Sequence, residues 1–540
     1  MSKIKLFPFD KEKFSNLKEY NFGKNWPVVY LITDGSKEIY IGETTSMYSR
    51  AHQHFENQER KKLKDLYVIS DEEYNKSAAL DIESMLIQYI SGDGKLKLQN
   101  GNKGLLNHNY FDRDKYRAKF ETIWKQLTDL KIVHNPLVQI KNSDLFKYSP
   151  YKALTEDQIN VVEKLLKEIS KGTKSNFIIN GGPGTGKTIL AIYLVKSLLE
   201  TEETKHLKIG LVIPMTSLRE TVKKVFRSIK GLSAKMIIGP GDVVKEKYDI
   251  LIVDESHRLK QRKNIVNYES FDKTNKILGL NNSGTELDWI IKSSKHRIFF
   301  YDKNQSVRPS DVHESQFIKL DAEQYELKSQ LRIAGGLGTE GERYIKFIEN
   351  LFDLKQKGLE KFVSYEFKVF DDIKLMVDEV KKKDYAYKGL SRMVSGYAWP
   401  WSSKNDPSKH DIEIQGTKLF WNSVTTDWVN SRNAINEVGC IHTVQGYDLN
   451  FAGVIIGPEI TYDKIKNKIS IRAENYFDMN GRRGVEDPLE LERYIINIYK
   501  TLLTRGIYGT YVYIVDNDLR EYIKSHVVNS HNPIIVKNHI

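Results

Sequence analysis

Lys187 and Thr188 close a glycine-rich run, Phe177-Ile178-Ile179-Asn180-Gly181-Gly182-Pro183-Gly184-Thr185-Gly186, with strand character before the turn and a helical stretch, Ile189 to Glu200, after it. Gly181, Gly182, Gly184 and Gly186, with Thr185 between the last two, let successive N–H groups point inward, and the helix N-terminus adds partial positive charge. The run is a phosphate cradle, the Walker A pattern: Lys187 is placed for the β and γ phosphates and Thr188 for Mg²⁺. Downstream, the apolar strand Tyr248 to Val253 runs into Asp254 and Glu255. That is the Walker B position, where Asp254 would hold Mg²⁺ through its water shell and Glu255 would orient or deprotonate the attacking water.

A second set of chemistry-bearing residues lies in the first hundred. Val28 to Ile32 and Glu38 to Gly42 flank the turn Asp34-Gly35-Ser36 and read as a hairpin, which puts Tyr30 and Tyr40 on neighbouring strands. A helix over Ser46 to Asn57 places Arg50 and His54 one turn apart on one face. A third strand, Lys64 to Ile69, and a helix, Ser77 to Ile90, come next. On that helix Glu83 is centred among Ala79, Leu86, Ile87 and Ile90, where a carboxylate is costly unless a cation or donors meet it. Two readings stay open for it: a metal ligand, or the partner of a structural ion pair with Arg50.

Taken in order, Val28-Val29-Tyr30, Tyr40-Ile41-Gly42, Arg50, His54 and Glu83 resemble the GIY-YIG nuclease family over residues 26 to 110, although Val-Val-Tyr stands where that family has Gly-Ile-Tyr. The resemblance implies a small α+β nuclease domain in which Glu83 holds a divalent metal, Mg²⁺ or Mn²⁺. Tyr30, Tyr40 or His54 would help activate water and Arg50 would steady the phosphate. The late asparagine of the family falls at Asn107, with Asn102 as its rival.

Further along, Gln158 stands three residues after Thr155, which fits a capping box and also the adenine-reading glutamine of superfamily 1 helicases. One amide cannot make every contact, and the expectation here leans to adenine. Asp302-Lys303-Asn304-Gln305, Leu331-Arg332, Gln445-Gly446 and Thr504-Arg505 resemble the remaining superfamily 1 motifs in order. Tyr301 stands where the first of them usually has glycine. By this resemblance Gln305, Gln445 and Gly446 line the nucleotide site, while Arg332 and Arg505 stabilise transition-state charge from a second domain. With Ser391 to Trp401 and Leu419 to Asn422, the chain is similar to a bacterial domain family related to the helicase part of Schlafen proteins, some members of which carry a GIY-YIG domain in front. The aromatics in those two stretches read as packing against the sheet before base stacking.

The elements that must position these residues give an α/β protein. The expected order is a nuclease unit at 1–110, a helical connector at 111–150 and two RecA-like lobes, as in superfamily 1 P-loop NTPases, at 151–330 and 331–540. Apolar strands alternate with helical stretches, which implies parallel sheets. At 540 residues several domains are expected, and the single cysteine, Cys440, excludes an internal disulfide framework and fits a cytoplasmic protein. No apolar run reaches the length of a membrane span, and residues 1–10 lack the apolar core expected of a signal peptide. Of the net charge of +12, residues 1–110 hold 16 Lys+Arg against 15 Asp+Glu, leaving +11 for the rest. Nucleic acid is therefore expected on the later part, DNA before RNA. The expectation is an ATP- and Mg²⁺-dependent motor fused to an endonuclease, with a role in antiviral defence implied by the resemblance. Its alternative is a non-translocating ATP-dependent switch that binds nucleic acid or a protein trigger and gates the nuclease; a protein trigger or a second copy of the chain is a further expected partner.

Overall fold

The β-branched run Val28 to Thr33 forms a strand buried along its whole length in the computed structural model, which describes residues 2–101, 110–333 and 339–528. Its unit contains β1 (Lys3–Pro8), α1 (Ser15–Glu19), β2 (Val28–Thr33), β3 (Glu38–Thr44), α2 (Met47–Phe55), β4 (Asp65–Ser70), α3 (Lys76–Asp93) and β5 (Lys97–Leu98). The sheet order is β1-β4-β2-β3-β5, antiparallel except for β3 with β5. The expected hairpin, third strand and two helices are all present, and β1 is a strand the sequence reading did not mark. Helix α3 starts where Asn75 accepts from the Ala78 N–H and stops at Gly94, whose φ of 71° suits a left-handed C-cap.

Residues 111–150, expected as a helical connector, are helical and bury one apolar face. They form α4 (Arg113–Asp129), α5 (Leu137–Asn142) and α6 (Asp144–Lys147). Phe120, Ile123, Trp124 and Leu127 of α4 are buried in the cluster that holds Tyr89 of α3 and also Leu190 and Leu194 of the second unit. The Phe120 and Tyr89 rings lie 5.2 Å apart. Burying such side chains is worth about 1.5–3 kcal/mol each, so α4 is held against α3 and β1 of the first unit by its apolar face.

That second unit runs α7 (Glu156–Ser170), β6 (Ser175–Gly181), α8 (Lys187–Glu200), β7 (Ile209–Val212), α9 (Thr216–Ser228), β8 (Ile237–Ile238), β9 (Tyr248–Val253), α10 (Tyr268–Ile277), α11 (Glu286–Ser293), β10 (Ser294–Tyr301), α12 (Glu314–Ile318) and β11 (Glu323–Leu327). Its sheet has the order β11-β6-β10-β9-β7-β8 with every pairing parallel. All strands therefore end on one edge, which gathers the loops after β6, β9, β10 and β11 in one place.

The last unit holds α13 (Glu340–Phe352), β12 (Glu366–Phe370), α14 (Ile373–Ala386), β13 (Ser391–Ser395), β14 (Ile412–Ile414), β15 (Thr417–Trp421), β16 (Glu437–Cys440), α15 (Ile441–Val444) and β17 (Leu449–Ile456). After the small hairpin β18 (Ile460–Asp463) and β19 (Lys468–Ile471) come α16 (Met479–Arg482), α17 (Pro488–Leu503), β20 (Gly506–Ile514) and α18 (Asn517–Lys524). The order is β12-β20-β17-β13-β16-β15-β14, parallel apart from β14 with β15. Strands β17 and β20 are neighbours, so the residues just before them, Gln445 to Asp448 and Arg505, come side by side. Trp421 is buried against Tyr397, ring centroids 5.5 Å apart, as the packing reading expects. No helix among the described residues is long and apolar enough to cross a membrane.

Candidate active sites

Tyr30 is fully buried opposite Gly42 on β3, and a Cβ at Gly42 would stand 2.2 Å from the tyrosine oxygen. Glycine there is what lets the Tyr30 ring reach α2, where its oxygen meets Nε2 of His54 at 2.6 Å and Nε of Arg50 at 3.2 Å. Tyr40 completes the group, its ring centroid 4.7 Å from that of His54. Glu83 is partly buried on α3 and makes no ion pair with Arg50, whose Nη1 binds Gln53 at 2.9 Å instead. The structural ion pair weighed for Glu83 is thus not formed. Burial first, and then the nearby Glu43 carboxylate, push the Glu83 carboxyl up to about 7 against Lys76 and Arg50. A carboxyl held this way fits one divalent cation. No group of three or more His, Cys, Asp or Glu side chains able to hold a metal occurs among the described residues. Asn107 and Asn102 lie outside the described residues.

Two contributors escaped the sequence reading. Asn100 accepts from the Ile41 N–H at 3.0 Å and donates to the Ile41 carbonyl at 2.8 Å, gripping the middle of Tyr-Ile-Gly from beside β5. Arg60 lies 3.9 Å over the Tyr40 ring and 2.8 Å from Nδ1 of His54. Guanidinium only donates, so Nδ1 must accept and the imidazole proton sits on Nε2, which donates to Tyr30. Burial, then Arg60 and Arg50, lower the His54 pKa to about 3 and keep the ring neutral. Both nitrogens are engaged, so in this geometry His54 orients Tyr30 and is not itself a free proton acceptor. Replacing Arg60 with methionine removes a repelling cation, so the His54 pKa should rise from about 3 toward its ordinary value in an NMR titration. An unmoved titration would contradict the tautomer assignment.

Glu83 also carries a stability cost with a defined sign. Its folded-state pKa, about 7, lies above the ordinary value of 4.5, so the stability it lends is complete below 4.5 and is lost as pH rises through 7. Glu83→Gln is expected to be more stable than the parent at pH 8 by about 2 kcal/mol, and no more stable at pH 4. Urea unfolding in EDTA at the two pH values checks this.

At the edge of the second sheet Gly186, with φ of 78°, leaves no room for a Cβ, which would lie 2.7 Å from Gln158 Nε2. Gln158 is buried; its Oε1 accepts from Thr155 N at 3.1 Å and its Nε2 donates to the Thr185 carbonyl at 3.0 Å. The capping box is present, with both ends of the amide bracing the loop, and Gln158 also lines the cavity at the phosphate loop. Lys187 donates to the Gly181 and Gly182 carbonyls at 2.6 and 2.9 Å and lies 3.3 Å from Asp302 Oδ2. Gly184 is tied to the loop after β11 through its carbonyl, which accepts from Leu331 N at 2.8 Å.

Both carboxylate oxygens of Asp254 are buried without a hydrogen-bond partner, with the Thr188 hydroxyl and Lys187 nearby favouring the charged form. Burial and the adjacent Glu255 push the Asp254 pKa up. This orphaned carboxylate beside Thr188 fits a bound Mg²⁺. Glu255 takes a left-handed φ of 50° and lies 2.8 Å from His257 Nε2, close but not aligned as a hydrogen bond. Burial would raise its carboxyl, yet His257, Lys187 and Arg505 hold it low.

Gln305 links the two sheets. Its Nε2 donates to Asp302 Oδ2 at 2.6 Å, and its Oε1 accepts from Nη2 of Arg505 at 2.8 Å. Lys187, Asp302, Gln305 and Arg505 thus form one polar line from the loop to the last unit. Gln445 donates to the Gln305 carbonyl at 3.4 Å, and the Gly446 carbonyl accepts from the Tyr148 hydroxyl at 2.8 Å. Arg332 sits on the crossing between the sheets, its Nε on Asp448 and its Nη1 3.2 Å from the Thr504 carbonyl. Asp302, which opens the motif ending in Gln305, and Asp448, two residues after Gly446, carry no spacing signal of their own that would mark them as site residues.

Residues 174–516 match the family model for the Schlafen group 3, DNA/RNA helicase domain. A yeast protein, "Uncharacterized protein YPL245W" of Saccharomyces cerevisiae, is 27% identical over 392 residues, 64% of this chain and 83% of its own. Solved neighbours include Bacteroides Pif1 helicase in complex with ADP-AlF3 and ssDNA, at 11% identity over 66% of this chain and 92% of that one, TM-score 0.29. Pif1 helicase from Candida albicans is 13% identical over 69% of this chain and 97% of that one, TM-score 0.28.

Proposed function

Because the chain belongs to the Schlafen group 3, DNA/RNA helicase domain family, we propose that it is an ATP-driven nucleic-acid motor joined to a metal-dependent GIY-YIG endonuclease. The observation that carries the motor reading is the polar line Lys187–Asp302–Gln305–Arg505. Nucleotide phosphates would take Lys187 from the carbonyls it now binds, Gln305 would report their presence, and Arg505 would meet charge that develops on the γ-phosphate. Glu255, held anionic, would take or orient the proton of the attacking water. Thr188 and Asp254 would hold Mg²⁺, which neutralises phosphate charge when bound.

At the first site Glu83 would hold the divalent ion, Arg50 would steady the scissile phosphate and the nucleophile's proton would pass by way of Tyr30, with Tyr40 beside it. His54 and Arg50 both donate to the Tyr30 oxygen, which offsets only part of the rise that burial and then Tyr40 impose on its hydroxyl. DNA is the expected substrate before RNA, and defence against foreign nucleic acid is the role the resemblance supports. Turnover of ATP in Mg²⁺ with and without single-stranded DNA, duplex DNA and RNA tests the motor. Stimulation by one of them is expected, and strand displacement separates a motor from a switch that only gates cleavage.

A further inference from the structure

The cavity at the phosphate loop, about 380 Å³, continues past it. Besides Gly186 and Ile189 it is lined by Phe146 and Lys152, by Gln88 of α3 and by Arg117 of α4, all four of these outside the helicase-family match. Its size suits a nucleotide-sized ligand. The phosphate end is fixed by Lys187, and the γ position by Asp302, Gln305 and Arg505. The opposite end of the ligand therefore leaves toward Phe146 and Lys152.

The chemistry of that far end suits a base and a sugar. Among the described residues Lys152 has no hydrogen-bond or ion-pair partner, and it lies 5.1 Å over the Phe146 ring. Burial depresses its ammonium to about 8 while Asp448 opposes the shift, so it is a cation short of an acceptor. Arg117 is fixed by contacts of 3.1 and 3.3 Å to the Asp81 carboxylate, and the Gln88 amide is steadied by Ser84 at 3.2 Å. A ring, a held guanidinium plane and an amide are the groups on which bases stack and pair.

We propose that this far compartment takes the base and ribose of the bound nucleotide, making Gln88, on the helix that carries Glu83, part of the nucleotide site. The proposal rests on the reading of the phosphate loop as a nucleotide site. Nucleotide binding would then order α3 directly, and cleavage at Glu83 would be coupled to the nucleotide cycle through one helix, with no relay through the second sheet.

Isothermal titration of the full chain with ATP and with inorganic tripolyphosphate, each with Mg²⁺, tests it. The parent should bind ATP more tightly than tripolyphosphate. Gln88→Ala and Lys152→Met should each weaken ATP about 3- to 10-fold and leave tripolyphosphate within about two-fold. Tripolyphosphate binding also reports that the variants are folded. Unchanged ATP affinity in both variants, or equal loss for both ligands, would overturn the proposal. A parent chain that binds neither ligand would instead overturn the phosphate-loop reading beneath it.

Discussion

Glu83→Gln is expected to lower Mg²⁺-dependent cleavage by about 10³-fold or more while ATP turnover stays within about two-fold of the parent. The amide keeps the shape of the side chain, and the variant should be the more stable protein at pH 8, so lost cleavage cannot be laid to unfolding. What it removes is a carboxylate that burial and Glu43 already hold at unfavourable cost. Such a group persists where a cation offsets the cost. Cleavage that survives in rigorously purified variant protein would remove Glu83 from the site.

The second large effect belongs to Arg505. It is buried, donates to Gln305 at 2.8 Å and has its pKa brought down to about 10 by burial and by Arg332. It still carries its charge at neutral pH, and Glu255 and Asp448 are the acids that favour it. Arg505→Ala should reduce ATP turnover by about 10³-fold with nucleotide affinity changed only a few-fold, since the charge is needed chiefly as the γ-phosphate departs. Arg505→Lys, which keeps the charge without the fork, controls for folding and should recover only part of the rate. Loss of nucleotide binding in both variants would place Arg505 in the ground-state site.

Local signals made much of this legible in the sequence. The strand, glycine loop and helix around Lys187 are contiguous, and so are the hairpin of Tyr30 and Tyr40 and the helix of Arg50 and His54. Each was readable because spacing alone sets the geometry. Contributions that depend on a distant partner were not. Arg60 sits in the charged run Glu59 to Lys62, which looks like a solvated face until Tyr40 and His54 are brought to it. Asn100 has no motif of its own, and its role comes from β5 pairing with β3. The apolar face of α4 is hard to read because its buried residues are spaced among polar ones; that its aromatics form core is decided by α3, which packs against it. Gln158 is ambiguous in sequence because a capping box and an adenine reader share a residue type and an offset; the contact to the Thr185 carbonyl depends on the loop brought beside it.

The central claim is that one chain holds two separate hydrolytic sites, and a single side-by-side assay tests it most directly. ATP turnover and Mg²⁺-dependent cleavage are measured together on labelled single-stranded DNA, duplex DNA and RNA for the parent, Glu83→Gln and Glu255→Gln. The account predicts both activities in the parent, turnover without cleavage in Glu83→Gln, and strongly slowed turnover with cleavage retained at an altered rate or pattern in Glu255→Gln. Cleavage undiminished in Glu83→Gln, or turnover within a few-fold of the parent in Glu255→Gln, would contradict it.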